Sequence, residues 1–152
     1  MRGSWTYRLD DKSRVTLPAK YKTELTEDVT VIQEAEHCLS VYPSEVYNTM
    51  ISPVEDASGN IMDMLTFGQE SVAQRAKAYI RFMESAAWDT KVDKQGRIIL
   101  TADQREHAQL SGDVVVIGVG NHLEIWNPEK WLATRNDLNE VFVKSGVYMP
   151  RS

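Results

Sequence analysis

The sequence is poor in cysteine, and its one cysteine, Cys38, cannot form a disulfide within the chain. A disulfide-dense secreted scaffold is therefore excluded, and a single free thiol suits a reducing compartment. The sequence also lacks any apolar run of the roughly 18–20 residues that a membrane helix requires. Residues 1–4 lead directly into patterned sequence, so we expect no signal peptide, no membrane partner and a cytoplasmic location.

Recognisable catalytic motifs are also absent from the sequence. It contains no nucleophile elbow, phosphate-binding loop or dinucleotide fingerprint, and residues 118–121 fit a hairpin turn better than a phosphate loop. His37, His107 and His122 have no metal-ligand spacing with one another or with Cys38. We therefore expect no catalytic residue, no metal, no cofactor and no small-molecule substrate.

The sequence has fewer basic than acidic residues, with 17 lysines and arginines against 22 aspartates and glutamates, so its net charge is −5. The charge is unevenly distributed, however, and its distribution matters more than its sum. Residues 1–22 contain six basic and two acidic residues, and residues 75–81 contain three basic and no acidic residues. An acidic body with a basic face is compatible with phosphate binding, although ordinary solvated charge explains the pattern equally well.

What the sequence does contain is an internal repeat. Residues 5–17 and 88–100 align at a constant offset of 83 residues. The alignment pairs Trp5 with Trp88, Asp10 with Asp93, Arg14 with Arg97, and Leu17 with Leu100. It resumes downstream in two further pairs of segments, 28–32 with 113–117 and 39–42 with 123–126. Units this short bury too little surface to be stable alone, so we expect the copies to share one core or to oligomerise.

The first part of each copy predicts a strand, a turn, a strand and a short helix. Segments 4–9 and 14–17 are predicted strands around a hairpin turn at 10–13. In the second copy the turn is 93–96, where Gly96 suits a positive φ. Pro18 predicts the first turn of a helix over 18–25, and Thr101 predicts the N-cap of its counterpart over 101–109.

The second part of each copy predicts a pair of strands and then a helix. The β-branched runs at 29–32 and 114–117 predict buried strands, which pair with strands at 39–42 and 123–126. Helices are expected after Pro43 and Pro128. Between and after the copies we predict a loop at 52–60, a long helix at 61–86, and a helical turn that frays within 137–152. The expected organisation is a first unit at 1–52, a linker and connecting helix at 53–86, a second unit at 87–135 and a tail at 136–152.

Each copy carries Asp-x-x-x-Arg at the same point of its turn. The aspartate can accept backbone N–H bonds that support the turn, so Asp10, Asp93 and Gly96 are its expected supports. The arginine presents a planar fork that fits phosphate oxygens or a guanine edge. An internal ion pair that pins the turn is the structural alternative. Two such spacings at equivalent points of a repeat favour a surface with twofold character, which suits duplex DNA.

These motifs resemble those of the MraZ family. The resemblance rests on Leu9-Asp10-x-Lys12-x-Arg14-Val15-x-Leu17-Pro18 and on Val92-Asp93-Lys94-Gln95-Gly96-Arg97-Ile98-Ile99-Leu100. It also includes His107-Ala108-x-Leu110 and Leu123-Glu124-Ile125-Trp126, and it covers residues 1 to about 140. Ser13 stands where the family prefers glycine, and Thr101-Ala102 stands where proline is usual, which predicts a weaker helix start in the second copy.

The resemblance implies an α+β fold of the SpoVT/AbrB kind, in which two hairpin, helix and strand units form a double swapped-hairpin barrel. It implies a homo-oligomeric ring and a cytoplasmic, nucleoid-associated transcriptional regulator that binds direct repeats in double-stranded DNA ahead of division and cell-wall genes. By position, Arg14 and Arg97 would contact DNA, with Lys12 and Lys94 as phosphate contacts. Two alternatives stay open: an oligomeric assembly or interaction protein whose Asp-x-x-x-Arg turns are structural, and a small enzyme.

Overall fold

The computed structural model describes residues 1–51 and 70–146, and its side chains in the second range from residue 74 onward. The strands are β1 Ser4–Arg8, β2 Arg14–Thr16, β3 Asp28–Gln33, β4 Leu39–Pro43, β5 Trp88–Lys91, β6 Arg97–Ile99, β7 Asp113–Val119 and β8 His122–Trp126. The α-helices are α1 at 44–51, α2 Glu70–Ala86, α3 Ala102–Ala108 and α4 Pro128–Ser145. The loop predicted at 52–60, the first nine residues of the helix predicted at 61–86, and residues 147–152 lie outside the described ranges.

The strands on either side of each Asp-x-x-x-Arg turn pair with the other copy. Six strands form an antiparallel sheet in the order β1-β7-β8-β4-β3-β5, and β2 and β6 form a separate two-stranded ribbon. The simple hairpins predicted at 4–9 and 14–17 are therefore wrong in their pairing, since β1 and β2 belong to different sheets. The α+β fold with two swapped hairpins is confirmed.

The strand registers show a pseudo-twofold relation between the copies. Trp5 lies opposite Val116 in one pair, and the equivalent Trp88 lies opposite Val31 in the other. At the centre of the ribbon Val15 faces Ile98, and these two residues occupy equivalent positions at the offset of 83. Exchange of the two copies therefore reproduces the pairing, and features of the first turn recur beside those of the second.

The ribbon and the sheet enclose one shared core. Val15 and Ile98 of the ribbon join a buried cluster with residues from both copies, including Val31, Leu39 and Val116. On the remaining surface of the sheet, α1 and α2 cover a second cluster around Ile32, Tyr42, Tyr47, Ile51 and Met83. Helix α4 covers a third through Trp131, which packs on a cluster of Cys38, Val115, Ile117 and Trp126. Because both copies contribute to the main core, neither can keep it without the other.

The helix after β6 is more regular than the helix after β2, whereas the sequence predicted a weaker helix start after β6. Pro18 is followed only by a 3-10 turn at Ala19–Tyr21 instead of the helix expected over 18–25. Thr101 begins a regular α-helix, because its side chain accepts from the Gln104 backbone while the Gln104 side chain accepts from the Thr101 backbone. This reciprocal cap satisfies two backbone donors at the helix start, so the second copy has the stronger helix although it lacks proline.

Helix α4 is longer than the sequence suggested. It begins after the N-cap Asn127 and ends at Gly146, which adopts a left-handed φ of 73°. The helix is thus continuous across residue 135, and the tail predicted from residue 136 starts within it. No residue of α4 is buried in the single chain.

Candidate functional site

The first Asp-x-x-x-Arg turn is organised around the carboxylate of Asp10. One oxygen, Oδ1, accepts from the backbone N–H of Lys12 at 3.0 Å and of Arg14 at 2.8 Å. The other oxygen, Oδ2, accepts from Arg14 Nε at 2.6 Å. The backbone N–H of Ser13 donates to the Asp10 carbonyl at 3.0 Å. A single aspartate thus fixes both the turn and the base of the arginine side chain.

The second turn repeats this geometry around Asp93. Its Oδ1 accepts from the backbone N–H of Gln95 and of Arg97, each at 2.9 Å, and its Oδ2 accepts from Arg97 Nε at 2.9 Å. Gly96 has a φ of 77°, and Ser13 at the equivalent place of the first turn has a φ of 60°. The first turn therefore keeps the left-handed conformation that glycine favours, at the modest steric cost that serine carries there.

The two arginines lie side by side on the outer surface of the β2–β6 ribbon. Val15 and Ile98 point into the core, so strand alternation places Arg14 and Arg97 on the opposite face. Arg97 Nη1 lies 3.8 Å from Oδ2 of Asp10, the same oxygen that accepts from Arg14 Nε. This contact between the copies was not predicted from the sequence, because nothing in the spacing showed that the two turns meet.

The arginine side chains are partly exposed, at 22% for Arg14 and 26% for Arg97. Each is held through Nε, and within the described residues no hydrogen bond uses the terminal Nη atoms of either arginine. The Nη edge carries the paired donors that recognise a phosphate or the O6 and N7 of guanine. The aspartates therefore orient the arginines and leave this edge available.

Lys12 and Lys94 lie at exposed positions of the same two turns. Neither takes part in a side-chain hydrogen bond or ion pair among the residues that the structure describes. Thr16 and Ile99, which the sequence analysis did not single out, share the outer ribbon face with the arginines, and Ile99 is 57% exposed. The alternation of buried Val15 and Ile98 was the signal that could have identified them.

Hydrogen bonding lowers the pKa of both turn carboxylates. For Asp10 the largest contribution is the bond from the Arg14 backbone, and for Asp93 it is the bond from the Arg97 backbone. Partial burial acts in the opposite direction, and the bonds from the arginine side chains and from Lys12 or Gln95 lower each pKa further. The ionised carboxylate is thus part of the folded turn.

The lowered pKa values predict acid sensitivity of the turns. A carboxylate with a lowered folded-state pKa contributes stability that is complete above its ordinary pKa of 3.8 and is lost as the pH falls through the folded value. The double variant D10N/D93N should therefore be less stable than the original chain at pH 6, and the difference should shrink below about pH 4. Thermal melting from pH 6 to pH 3 measures this. D11N is the control, since Asp11 is exposed in the same turn, and a gap that stays constant with pH would contradict the prediction.

The remaining sequence candidates do not gather at the turns. The rings of His37 and His107 stack with centroids 5.1 Å apart, a proximity that their spacing did not indicate. Among the described residues no group of three or more possible metal ligands comes together. The basic side chains of Arg75, Lys77 and Arg81 are exposed on α2. Within the same part of the chain, no helix is both long and apolar enough to span a bilayer.

Comparison with known protein families supplies the last observation. A family model described as "MraZ protein, putative antitoxin-like" matches residues 1–70 and 83–143. The chain belongs to the MraZ family. The two matched segments include both Asp-x-x-x-Arg turns and leave out residues 71–82, in which the basic residues of α2 lie. The predicted resemblance to MraZ is confirmed.

Individual relatives agree with the MraZ assignment. "Transcriptional regulator MraZ" of Nocardia farcinica is 37% identical over 129 residues, which is 85% of this chain and 82% of the relative. The proteins of the same name from a Nocardioides species and from Limosilactobacillus fermentum are 38% and 34% identical, covering 85% of this chain and 81% and 82% of their own lengths. All three of these relatives are thus named as regulators of transcription.

Proposed function

We propose that this MraZ chain is a sequence-specific DNA-binding transcriptional regulator without catalytic activity. Arg14 and Arg97 read base edges through their Nη atoms, and Lys12 and Lys94 contact phosphates. The partner is double-stranded DNA with direct repeats, upstream of division and cell-wall genes. The protein acts in the cytoplasm, in association with the nucleoid.

One observation carries this proposal: two equivalent arginine turns lie side by side, each with its Nε fixed and with Nη atoms that make no hydrogen bond among the described residues. The carboxylates hold the arginines in place before any ligand arrives, which reduces the entropy that binding would otherwise cost. The pseudo-twofold relation presents the two turns as equivalent elements. Such a surface suits a duplex, whose strands offer equivalent contacts.

The proposed active form is a homo-oligomeric ring. One chain offers only two arginines for base contacts, so useful affinity requires several subunits that bind successive repeats at once. Helix α4 supplies apolar surface for assembly, because Leu138 and Val141 are three positions apart on one face of the helix and are 46% and 58% exposed. An apolar stripe of this kind on a single chain is typical of a protein contact.

The contacts of the aspartates favour one alternative. Because Asp10 and Asp93 bond both the backbone and Nε of their arginines, the pairs also meet the expectation for purely structural turns. The chain would then be an oligomeric assembly protein with a protein partner. Loss of an arginine should lower DNA affinity if the chain is a regulator, and should lower stability and assembly if the turns are only structural.

Salt dependence of DNA binding tests the proposal directly. A duplex selected from a random library by the purified protein should bind with an affinity that falls steeply as salt rises. Binding releases counterions from each neutralised phosphate, so log K should fall by about 0.9 per contact for each unit of log salt. Fluorescence anisotropy between 50 and 200 mM salt measures the slope, with a scrambled duplex as the control. If no duplex is enriched, or if affinity does not change with salt, the DNA-binding role is excluded.

Light scattering tests the proposed assembly. At micromolar concentration and moderate salt we expect a closed homo-oligomer, because symmetric closure covers the apolar stripe of α4. Replacing Leu138 with glutamate puts charge into that stripe and should shift the protein to smaller species. Asn139→Glu is the matched control, since it adds the same charge at an exposed position on a different face of α4 from Leu138 and Val141. A monomer for the unaltered chain, or equal effects of the two variants, would exclude this interface.

A further inference from the structure

A cavity of about 420 Å³ lies beside the second Asp-x-x-x-Arg turn. One wall is the segment from Thr16 to Thr26, and the other is the turn from Val92 to Gly96. Tyr7, Leu17, Tyr21, Leu25 and Val92 line its interior, and three of them, Leu17, Tyr21 and Leu25, are at most 6% exposed. The volume falls within the range of about 300–1,000 Å³ that small-molecule sites occupy, and the lining is mainly apolar.

Polar and positively charged groups surround this apolar interior. Lys22, Lys94, Thr26 and Gln95 border the cavity. Within the described residues these four side chains make no hydrogen bond or ion pair. The neighbouring carboxylate of Asp93 is already bonded to the backbone and Nε of its own turn. Each of these groups, two ammonium groups, a hydroxyl and an amide, can donate to a negatively charged head group.

The internal repeat shows that the fold does not require this lining. At the offset of 83 residues, Thr90 stands in the place of Tyr7 and Gln104 in the place of Tyr21. The residue equivalent to Lys94 is Asp11, which has the opposite charge. Both copies build the same turn and the same ribbon, yet only the first supplies the two aromatic rings. Arg105 stands in the place of Lys22, so one cation recurs, and the lining that is specific to this cavity is the pair of aromatic rings and Lys94.

The cavity is also rigidly framed. The hydroxyl of Tyr21 is hydrogen-bonded to the backbone of Arg2, and its ring packs edge-on against Trp5 at 5.9 Å between centroids. Across the cavity, the backbone N–H of Leu17 donates to the carbonyl of Gly96 at 2.8 Å. One wall therefore continues directly into the turn that carries Lys94 and Arg97.

We propose that this cavity binds a small carboxylic acid with an aromatic or similarly bulky apolar body. The body fills the space between Tyr7, Tyr21 and Leu25, and the carboxylate lies at the rim near Lys22, Lys94 and Thr26. Because the bound acid contacts the second turn, its binding is linked to the DNA affinity of Arg97. This linkage rests on the proposed function, whereas binding of the acid does not.

The test compares two probes of nearly equal shape, indole-3-acetate and the neutral indole-3-acetamide, on the full-length protein without DNA. Saturation-transfer NMR and calorimetry should show binding of the acid and weaker binding of the amide. Lys22→Glu should weaken the acid by roughly three- to tenfold, in line with removal and reversal of an exposed charge contact, and should leave the amide unchanged. Lys77→Glu, the same charge change on α2, should affect neither probe.

A second variant tests the position of the site independently of charge. Thr26→Trp places a bulky ring at the exposed rim and should abolish binding of both probes, with thermal melting as the check on folding. Failure of the acid to bind the unaltered protein, or equal binding to T26W, overturns the proposal. If the unaltered protein binds neither probe and T26W changes the oligomer, a neighbouring copy fills the cavity and the proposal is wrong. A subsequent anisotropy titration with the acid present tests the linkage to DNA alone.

Discussion

Replacing Arg14 or Arg97 with alanine should abolish most specific DNA affinity while leaving the fold intact. Each lost base contact is expected to cost about 1–3 kcal/mol in every engaged subunit, so the losses multiply across a ring. The stability cost should be much smaller, because a partly exposed ion pair contributes at most about 1 kcal/mol. Anisotropy with a selected duplex and thermal melting on the same samples measure both quantities.

The chain offers a matched control and a contrasting pair. Arg8→Ala removes the same charge from β1, where Arg8 is 77% exposed and lies 3.7 Å from Asp113, and it should change specific affinity little. Lys12→Ala and Lys94→Ala should weaken all duplexes similarly and flatten the salt slope, because phosphate contacts carry no sequence information. If the arginine variants melt early and assemble poorly but keep full affinity, the turns are structural and the assembly alternative is correct.

The order of elements could be predicted from the sequence because it depends on local patterns. The repeat, the β-branched runs and the turn residues located both Asp-x-x-x-Arg turns and the strands around them. Pairing partners could not be predicted in the same way, because alternation shows which face of a strand is buried and not which strand lies beside it. The family resemblance implied swapped hairpins, but the pairing of β1 with β7 was not predicted.

The candidate site was predicted as residues but not as an arrangement. Asp10 and Arg14 are four positions apart, so their contact is local, whereas the contact between Arg97 and Asp10 joins positions 87 apart in the chain. The helix starts show the same limit. The absence of proline predicts a weaker helix start in the second copy, but the reciprocal bonds between Thr101 and Gln104 make that start the stronger one. The predicted helix after Pro128 is too short at its C-terminal end, because α4 continues to Ser145 and is capped by Gly146.

The swapped architecture makes a prediction for stability that a pair of independent repeats would not. Ile98 is 1% exposed at the centre of the ribbon, and the next residue, Ile99, is 57% exposed. Replacing Ile98 with alanine should lower the free energy of unfolding by about 2–5 kcal/mol, because a cavity forms in the core that both copies share. Ile99→Ala on the same strand should change it by no more than about 0.5 kcal/mol. Because β2 and β6 pair across the repeat, the I98A variant should unfold in one transition at a lower denaturant concentration than the unaltered chain. Tryptophan fluorescence and circular dichroism should report the same midpoint for this transition. Two separate transitions in I98A, with only one displaced, would show that the copies fold as independent units.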